Sequence, residues 1–174
     1  MRHSRPAPPT DELRLVDARL FLDAMSRVAN GVNVVTTQGL GGCDGITVSS
    51  ACSVTAEPPS LLACIQQSSP AAAAIEHNGV FCLNVLAEDQ QRVSEAFASR
   101  IEDLDDRFSV ADWSSMATGC PVLVGAAAAF DCKVDHMLTE GTHRIFIARV
   151  VAAMRGDAAP LVYGRRGYAR ILWD

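Results

Sequence analysis

The run Val32-Asn33-Val34-Val35-Thr36-Thr37, then Gln38-Gly39-Leu40-Gly41-Gly42-Cys43-Asp44-Gly45, then Ile46-Thr47-Val48-Ser49-Ser50, decides how this chain is built. β-Branched residues favour extended backbone and clustered glycines favour turns, so the stretch predicts two antiparallel strands joined by a Gly-rich loop. A dinucleotide-binding fingerprint starting at Gly39 and Gly41 would need its third glycine at position 44 and a helix after it. Position 44 is Asp44, and a β-branched run follows. No helix N-terminus faces a pyrophosphate here, and hairpin pairing replaces the crossover of a parallel sheet.

Upstream, Asp17 is placed to cap a helix with apolar residues at Leu20, Phe21, Ala24, Met25 and Val28, ending before Asn30-Gly31. Residues 1–16 are Pro-rich and aperiodic, which predicts a flexible N-terminal arm before a domain over 17–174. Downstream, Glu57-Pro58-Pro59 breaks the chain ahead of a strand from Ser60 to Ile65. Ser69, Pro70 and Asn78-Gly79 then bracket a helix in the order cap, first turn and stop. Val80 to Leu86 reads as a strand, and Glu88 to Ser99 as a helix turning Val93, Ala96 and Phe97 to the core. Residues 100–118, with Glu102-Asp103-Leu104-Asp105-Asp106, read as a solvated surface excursion. Pro121 to Val134, His143 to Met154 and Gly167 to Leu172 read as further strands. Strands outnumber helices and lack crossover helices between them, so the expected class is mainly β with flanking helices around an antiparallel barrel.

The composition narrows the function. A chain of 174 residues fits one domain of about 100–200 residues, so any chemistry occurs in one compact unit or between copies of it. Twenty acidic against fifteen basic residues give a net charge of −5 and no field for collecting nucleic acid. No apolar run has the length of a membrane span and no signal-peptide core follows the N-terminus, so the expected location is cytoplasmic. The six cysteines contain no C-x-x-C pair and read as small buried hydrophobes. His136 and His143 have no companions at metal-ligand spacing, so no metal site is expected; Walker and G-x-S-x-G sequences are absent.

Two hydroxyl-rich segments remain. Gln66-Gln67-Ser68-Ser69-Pro70 sits at a helix start, where hydroxyls and free N–H groups can bind an anion or simply cap the helix. Thr47-Val48-Ser49-Ser50 with Ser53 gives alternate residues that line a pocket or face solvent. In order along the chain, Asn30 to Thr37, Gly45 to Ser50, Ser53-Val54-Thr55, Glu57-Pro58-Pro59, Ser68-Ser69, Gly79 to Leu86, Gln90, Phe97-Ala98, Gly119-Cys120-Pro121, His143 and Pro160-Leu161-Val162-Tyr163 resemble the short-chain flavin reductase family. The resemblance spans about residues 18 to 172.

That resemblance implies a flavin-binding split barrel, a homodimer, that oxidises NAD(P)H and reduces FAD or FMN for a separate monooxygenase acting on an aromatic or natural-product substrate. It implies isoalloxazine and ribityl contacts from Thr47, Val48, Ser49, Ser50, Ser53 and Val54, and a phosphate held by Ser68 and Ser69 with Phe97 and Ala98 nearby. Asn30 and Gly31 would approach the flavin from the neighbouring loop. His143 would lie by the nicotinamide as the catalytic candidate, and Tyr163, Arg166 and Tyr168 would close the site. The chain departs from the family in having Val28-Ala29-Asn30-Gly31 at the entry loop and Gly141-Thr142-His143, without a carboxylate, before the histidine. NADH is the expected donor, with NADPH open. A flavin- or haem-binding module without turnover, and an oxidase of pyridoxal-type substrates, are the alternatives.

Overall fold

The computed structural model describes residues 14–102 and 104–172; most of the arm expected over 1–16 lies outside the described residues. Helix α1 (Ala18–Met25) opens the described chain, capped by Asp17, whose carboxylate accepts from the amides of Arg19 and Leu20 at 2.9 and 3.2 Å. A two-residue strand β1 (Asn30–Gly31) leads into the hairpin of β2 (Asn33–Thr37) and β3 (Asp44–Val48), joined by the Gly-rich loop. Strands β4 (Ala51–Ala56) and β5 (Pro59–Gln66) follow, then helix α2 (Pro70–Asn78), strand β6 (Val80–Val85) and helix α3 (Gln91–Phe97). A 3-10 turn (Arg107–Val110) and the short pair β7 (Trp113–Ser115) and β8 (Pro121–Leu123) precede two long strands, β9 (Ala128–Glu140) and β10 (His143–Arg155). A small hairpin, β11 (Val162–Gly164) with β12 (Gly167–Ala169), ends the described fold and pairs with β1.

Seven strands form one antiparallel sheet in the order β3-β2-β6-β9-β10-β5-β4. Its outermost members, β3 and β4, are joined by Ser49 and Ser50 alone. In a flat sheet they would stand about 29 Å apart, at about 4.8 Å per strand. Two linking residues span only about 10 Å. The sheet therefore has to curl until its edges meet. No ladder joins β3 to β4, so the barrel stays split along that seam.

Strand β2 is buried on both faces. Val35 looks into the barrel, with Leu61, Ile65, Phe81 and Phe146, and Ala72 and Ile75 of α2 complete that core. Val34 looks outward under α3, with Leu86, Val93, Phe97 and Leu123. The α2 boundaries follow the sequence signals: the Ser69 hydroxyl accepts the amide of Ala71, and Gly79 ends the helix in the left-handed region at φ 68°.

The structure corrects four expectations. The strand expected over 46–50 is β3 ending at Val48, and β4 is an additional strand whose side chains past Ala51 are all exposed, so it carries no alternating pattern to read. The strand expected over 121–134 is broken between β8 and β9 at a turn where Gly125 has φ 76°, and β9 continues to Glu140. The excursion over 100–118 is anchored: Phe108 and Trp113 pack edge-on against Phe97 at centroid distances of 5.0 and 5.5 Å. Finally, the cysteines do not share one environment, and Cys64 is half-buried. Cys82, Cys120 and Cys132 are buried, and burial beside Asp131 pushes the Cys132 thiol up to about 12, whereas Cys43 and Cys52 are exposed.

Candidate functional site

Two adjoining hollows lie where the seam of the barrel meets α3. The smaller, about 170 Å³, is lined by Thr47, Val48, Ser49, Ser94, Ala98, Tyr163 and Tyr168, among others. The larger, about 420 Å³, includes Gln66, Ser68, Ser69, Phe97, Ser99 and Arg107. They share Thr47 and Ala98, so the end of β3 and the end of α3 form the wall between them.

That wall is rigid for identifiable reasons. The Thr47 hydroxyl donates to the Ser94 carbonyl at 2.7 Å, pinning α3 to β3. The Tyr168 hydroxyl and the Ser94 hydroxyl lie 3.0 Å apart, and Tyr168 packs edge-on against Tyr163 at 5.4 Å, fixing the β11–β12 hairpin over the smaller hollow. Gly45 is required beneath it, since a Cβ there would stand 2.7 Å from the buried Phe97 ring. The Thr47 hydroxyl is thus occupied with holding α3, and the backbone and neighbouring side chains face the hollow.

In the larger hollow, hydroxyl, amide and cation converge. Ser68 and Ser69 stand at the start of α2, a helix of nine residues with Pro70 in its first turn, where the serine hydroxyls can donate and the helix dipole favours an anion. Arg107 reaches the same place from the 3-10 turn. Its guanidinium pairs with Asp44 at 2.9 Å, donates to the Gly45 carbonyl at 3.2 Å, and lies 5.8 Å from the Phe97 ring centroid. A guanidinium carries five N–H donors, so these bonds orient it and leave donors for a ligand.

The structure brings Thr47, Val48, Ser49, Ala98, Tyr163 and Tyr168 together in one hollow, and Ser68, Ser69, Phe97 and Ala98 in the other. Asn30 and Gly31 pair with Tyr163 and Val162, next to the smaller hollow. Ser50 and Val54 line neither; the Ser50 carbonyl accepts the Cys64 amide at 2.8 Å. Ser53 faces a separate apolar mouth of the barrel with Ala51, Leu61, Leu83 and Phe130. Arg166 faces α1, 3.5 Å from Asp23. His143 is exposed at the start of β10, opposite Gln66, with Nδ1 2.9 Å from the Thr142 hydroxyl. The turn holding it is tied to the serine segment by the Gln67 amide, which donates to the Thr142 carbonyl at 3.0 Å.

Sequence reading missed Ser94 and Arg107. Ser94 is a buried serine amid the apolar residues of α3, a departure from pattern that could have flagged it. Arg107 sits in an acidic surface stretch and carries no local signal.

Comparison with known proteins assigns the family. The family model described as "Flavin reductase like domain" matches residues 25–172. An FMN reductase (NADH) RutF of Ancylobacter novellus is 42% identical over 149 residues, covering 85% of this chain and 82% of its own. Among solved structures, the NADH:FAD oxidoreductase SgcE6 of Streptomyces globisporus C-1027, in complex with NAD and FAD fragments, superposes with a TM-score of 0.83 at 26% identity, covering 93% of this chain and 99% of its own. The styrene monooxygenase flavin reductase of Pseudomonas putida S12 superposes at 0.78 with 28% identity, covering 88% and 98%. A seven-stranded antiparallel sheet split at the Ser49-Ser50 seam, with a hydroxyl- and arginine-lined groove beside it, therefore belongs with these sequences and structures: the chain is a member of the flavin reductase like domain family.

Proposed function

We propose that this protein transfers hydride from NADH to FMN or FAD and releases the reduced flavin to a separate monooxygenase. The observation that carries the reading is the convergence of Ser68, Ser69 and Arg107 in one groove adjoining the hollow under Tyr163 and Tyr168. The donor set suits a flavin phosphate at one end and a flat ring system at the other. When bound, the flavin supplies the hydride-accepting chemistry; the protein supplies binding, orientation and exclusion of water.

Each residue then has a limited task. Ser68, Ser69 and Arg107 hold the phosphate, with Phe97 and Ala98 forming the floor beside it. Ser49 lies outside both flanking ladders and lines the smaller hollow, so its backbone N–H would be available to donate to the edge of a bound ring, whereas Ser50 stands outside the hollow. Ser53 and Val54 stand outside both hollows and take no part in this reading. Asn30, Gly31, Tyr163 and Tyr168 bound the opposite side. Arg166, turned toward Asp23 of α1 at the hairpin tip, stands outside both hollows. His143 orients the nicotinamide. Mixing the protein with NADH and FMN or FAD and following the nicotinamide absorbance tests the reading; absence of flavin-dependent loss of NADH and of NADPH would overturn it.

His143→Ala is expected to slow turnover about tenfold at saturating NADH, the effect of a lost orienting contact, with flavin affinity nearly unchanged. An unchanged rate removes His143 from the reaction.

The proposal includes a homodimer. Helix α1 buries none of its residues within its own chain, and Leu20, Phe21, Leu22 and Met25 are each about half exposed or more. So much apolar surface on one helix is suited to cover by a second copy. Light scattering should give about twice the chain mass of 18.5 kDa, and the pair Leu20→Asp and Phe21→Asp should reduce it to one. A wild-type mass of one chain would overturn the dimer.

A further inference from the structure

The turn between β11 and β12 is built against backbone preference. Gly164 pairs with Gly167, closing a two-residue turn, yet the two central positions in the left-handed region are Arg165 and Arg166, at φ 52° and 63°. Such turns favour Asn-Gly at the centre, because side chains with a Cβ are disfavoured at positive φ. Here glycines flank the turn and arginines occupy its strained tip. A strained pair of charged residues at a tip points to a function for the side chains.

The tip is fastened in place. The Arg165 amide donates to the Ser26 carbonyl at 2.6 Å, seating the turn on the end of α1. A shallow cleft there is lined by Asp23, Ser26, Arg27, Arg165 and Arg166. Asp23 holds Arg166 at 3.5 Å, with both side chains largely exposed. Arg27 and Arg165 form no ion pair among the described residues. Three guanidinium groups against one carboxylate make a local excess of positive charge on a chain whose net charge is −5.

The same hairpin carries Tyr163 and Tyr168, which face the hollow beside the seam. Arg165 is two positions after Tyr163, a step of about 7 Å along extended chain. A ligand whose ring lies under the tyrosines can therefore extend over the hairpin to the arginines. We propose that Arg27 and Arg165, with Arg166, bind the diphosphate of NADH, whose nicotinamide reaches the flavin ring at that hollow. The proposal rests on the reductase reading. Reduced nicotinamide mononucleotide lacks this diphosphate, and the diphosphate of FAD begins at the phosphate held by Ser68, Ser69 and Arg107, away from the hairpin tip.

The test uses Arg165→Asn, Arg27→Gln and their combination. Asparagine tolerates the left-handed conformation, so Arg165→Asn should unfold at the wild-type temperature or above it, which separates binding from folding. With FMN saturating, rates are measured against NADH and against reduced nicotinamide mononucleotide; with NADH saturating, against FAD and FMN. The half-saturating concentration of NADH should rise about tenfold in the double variant, the effect of losing charge-assisted bonds to phosphate, while those of reduced nicotinamide mononucleotide, FMN and FAD are unaffected. No change for NADH, an equal change for reduced nicotinamide mononucleotide, or a change for FAD alone would overturn the proposal. Calorimetric titration with ADP-ribose gives a readout independent of turnover: the wild type should bind it and the double variant about tenfold more weakly. Failure of the wild type to bind overturns the cluster as a diphosphate site, whereas binding without NADH turnover overturns the reductase reading alone.

Discussion

Arg107→Ala should raise the half-saturating concentration of FMN about 10- to 100-fold and leave that of riboflavin, which lacks the phosphate, within about twofold. The magnitude follows from removing one charge-assisted hydrogen bond, about 1.5–3 kcal/mol, from a phosphate in a partly enclosed groove. Arg107 is half-buried and already oriented by Asp44 and the Gly45 carbonyl, so it meets a phosphate without first losing side-chain freedom. Asp44 competes for the same guanidinium. Asp44→Asn should therefore tighten FMN modestly by releasing that competition, if the Gly45 bond still holds the side chain. Steady-state kinetics with FMN and riboflavin on both variants check the pair. An equal loss for FMN and riboflavin would show that Arg107 supports the groove's shape and does not contact the phosphate.

Arg107 also shows where sequence reading stops. The hairpin β2–β3, the Ser69-Pro70 start of α2, the Gly79 stop and the turn at Glu140-Gly141-Thr142 are local events, written in residues next to each other, and all were legible. The anchoring of 100–118 is not local. It depends on Phe108 and Trp113 meeting Phe97, and the acidic run Asp103-Leu104-Asp105-Asp106 between them outweighs these few apolar residues in any window. Once Phe97 is known to be buried at the end of α3, the placement of Arg107 over its ring follows, but Phe97 alone does not name its partners. Strand β4 was missed for a different physical reason. It is an exposed edge strand, so neither face imposes a period of two. The site residues divide in the same way. Those next to a chain reversal or a helix start, Ser49, Ser68 and Ser69, could be named from the sequence. The placement of Ser53 in a separate hollow depends on how β4 curls past the seam, which no short segment encodes.

Asn84→Asp is expected to destabilise the fold by about 4 kcal/mol at pH 7 and by much less near pH 4. Asn84 is fully buried in β6, and its amide nitrogen faces acceptors: the Val34 carbonyl at 3.2 Å, the Thr36 hydroxyl oxygen at 3.2 Å and the Pro121 carbonyl at 3.4 Å. Its oxygen accepts the Leu123 amide at 2.8 Å. One side chain thus ties β2 and β8 to β6, behind the strand that ends at the seam. A carboxylate there would turn a negative oxygen toward carbonyl groups, whereas a protonated carboxyl can donate to one of them. The buried carboxyl therefore holds its proton well above the unfolded value near 3.9. Between that value and the raised native one, the native state binds more protons than the unfolded state, so stability falls as pH rises. Integrating from about 3.9 to 7 at about 1.36 kcal/mol per pH unit gives the stated loss, provided the native value lies above 7. Asn84→Leu separates the charge effect from the lost hydrogen bonds, since it orphans the Leu123 amide equally at every pH. The neighbouring Asp131 has the opposite surroundings. It too is fully buried in the same sheet, yet it faces donors, the Thr118 amide at 2.7 Å and the Thr118 hydroxyl at 2.5 Å. Urea unfolding of wild type, Asn84→Asp and Asn84→Leu across pH 4 to 8 measures the difference. A loss for Asn84→Asp that stays constant with pH would mean that the cavity relaxes to admit water, and that the ring of acceptors around position 84 does not select the uncharged side chain.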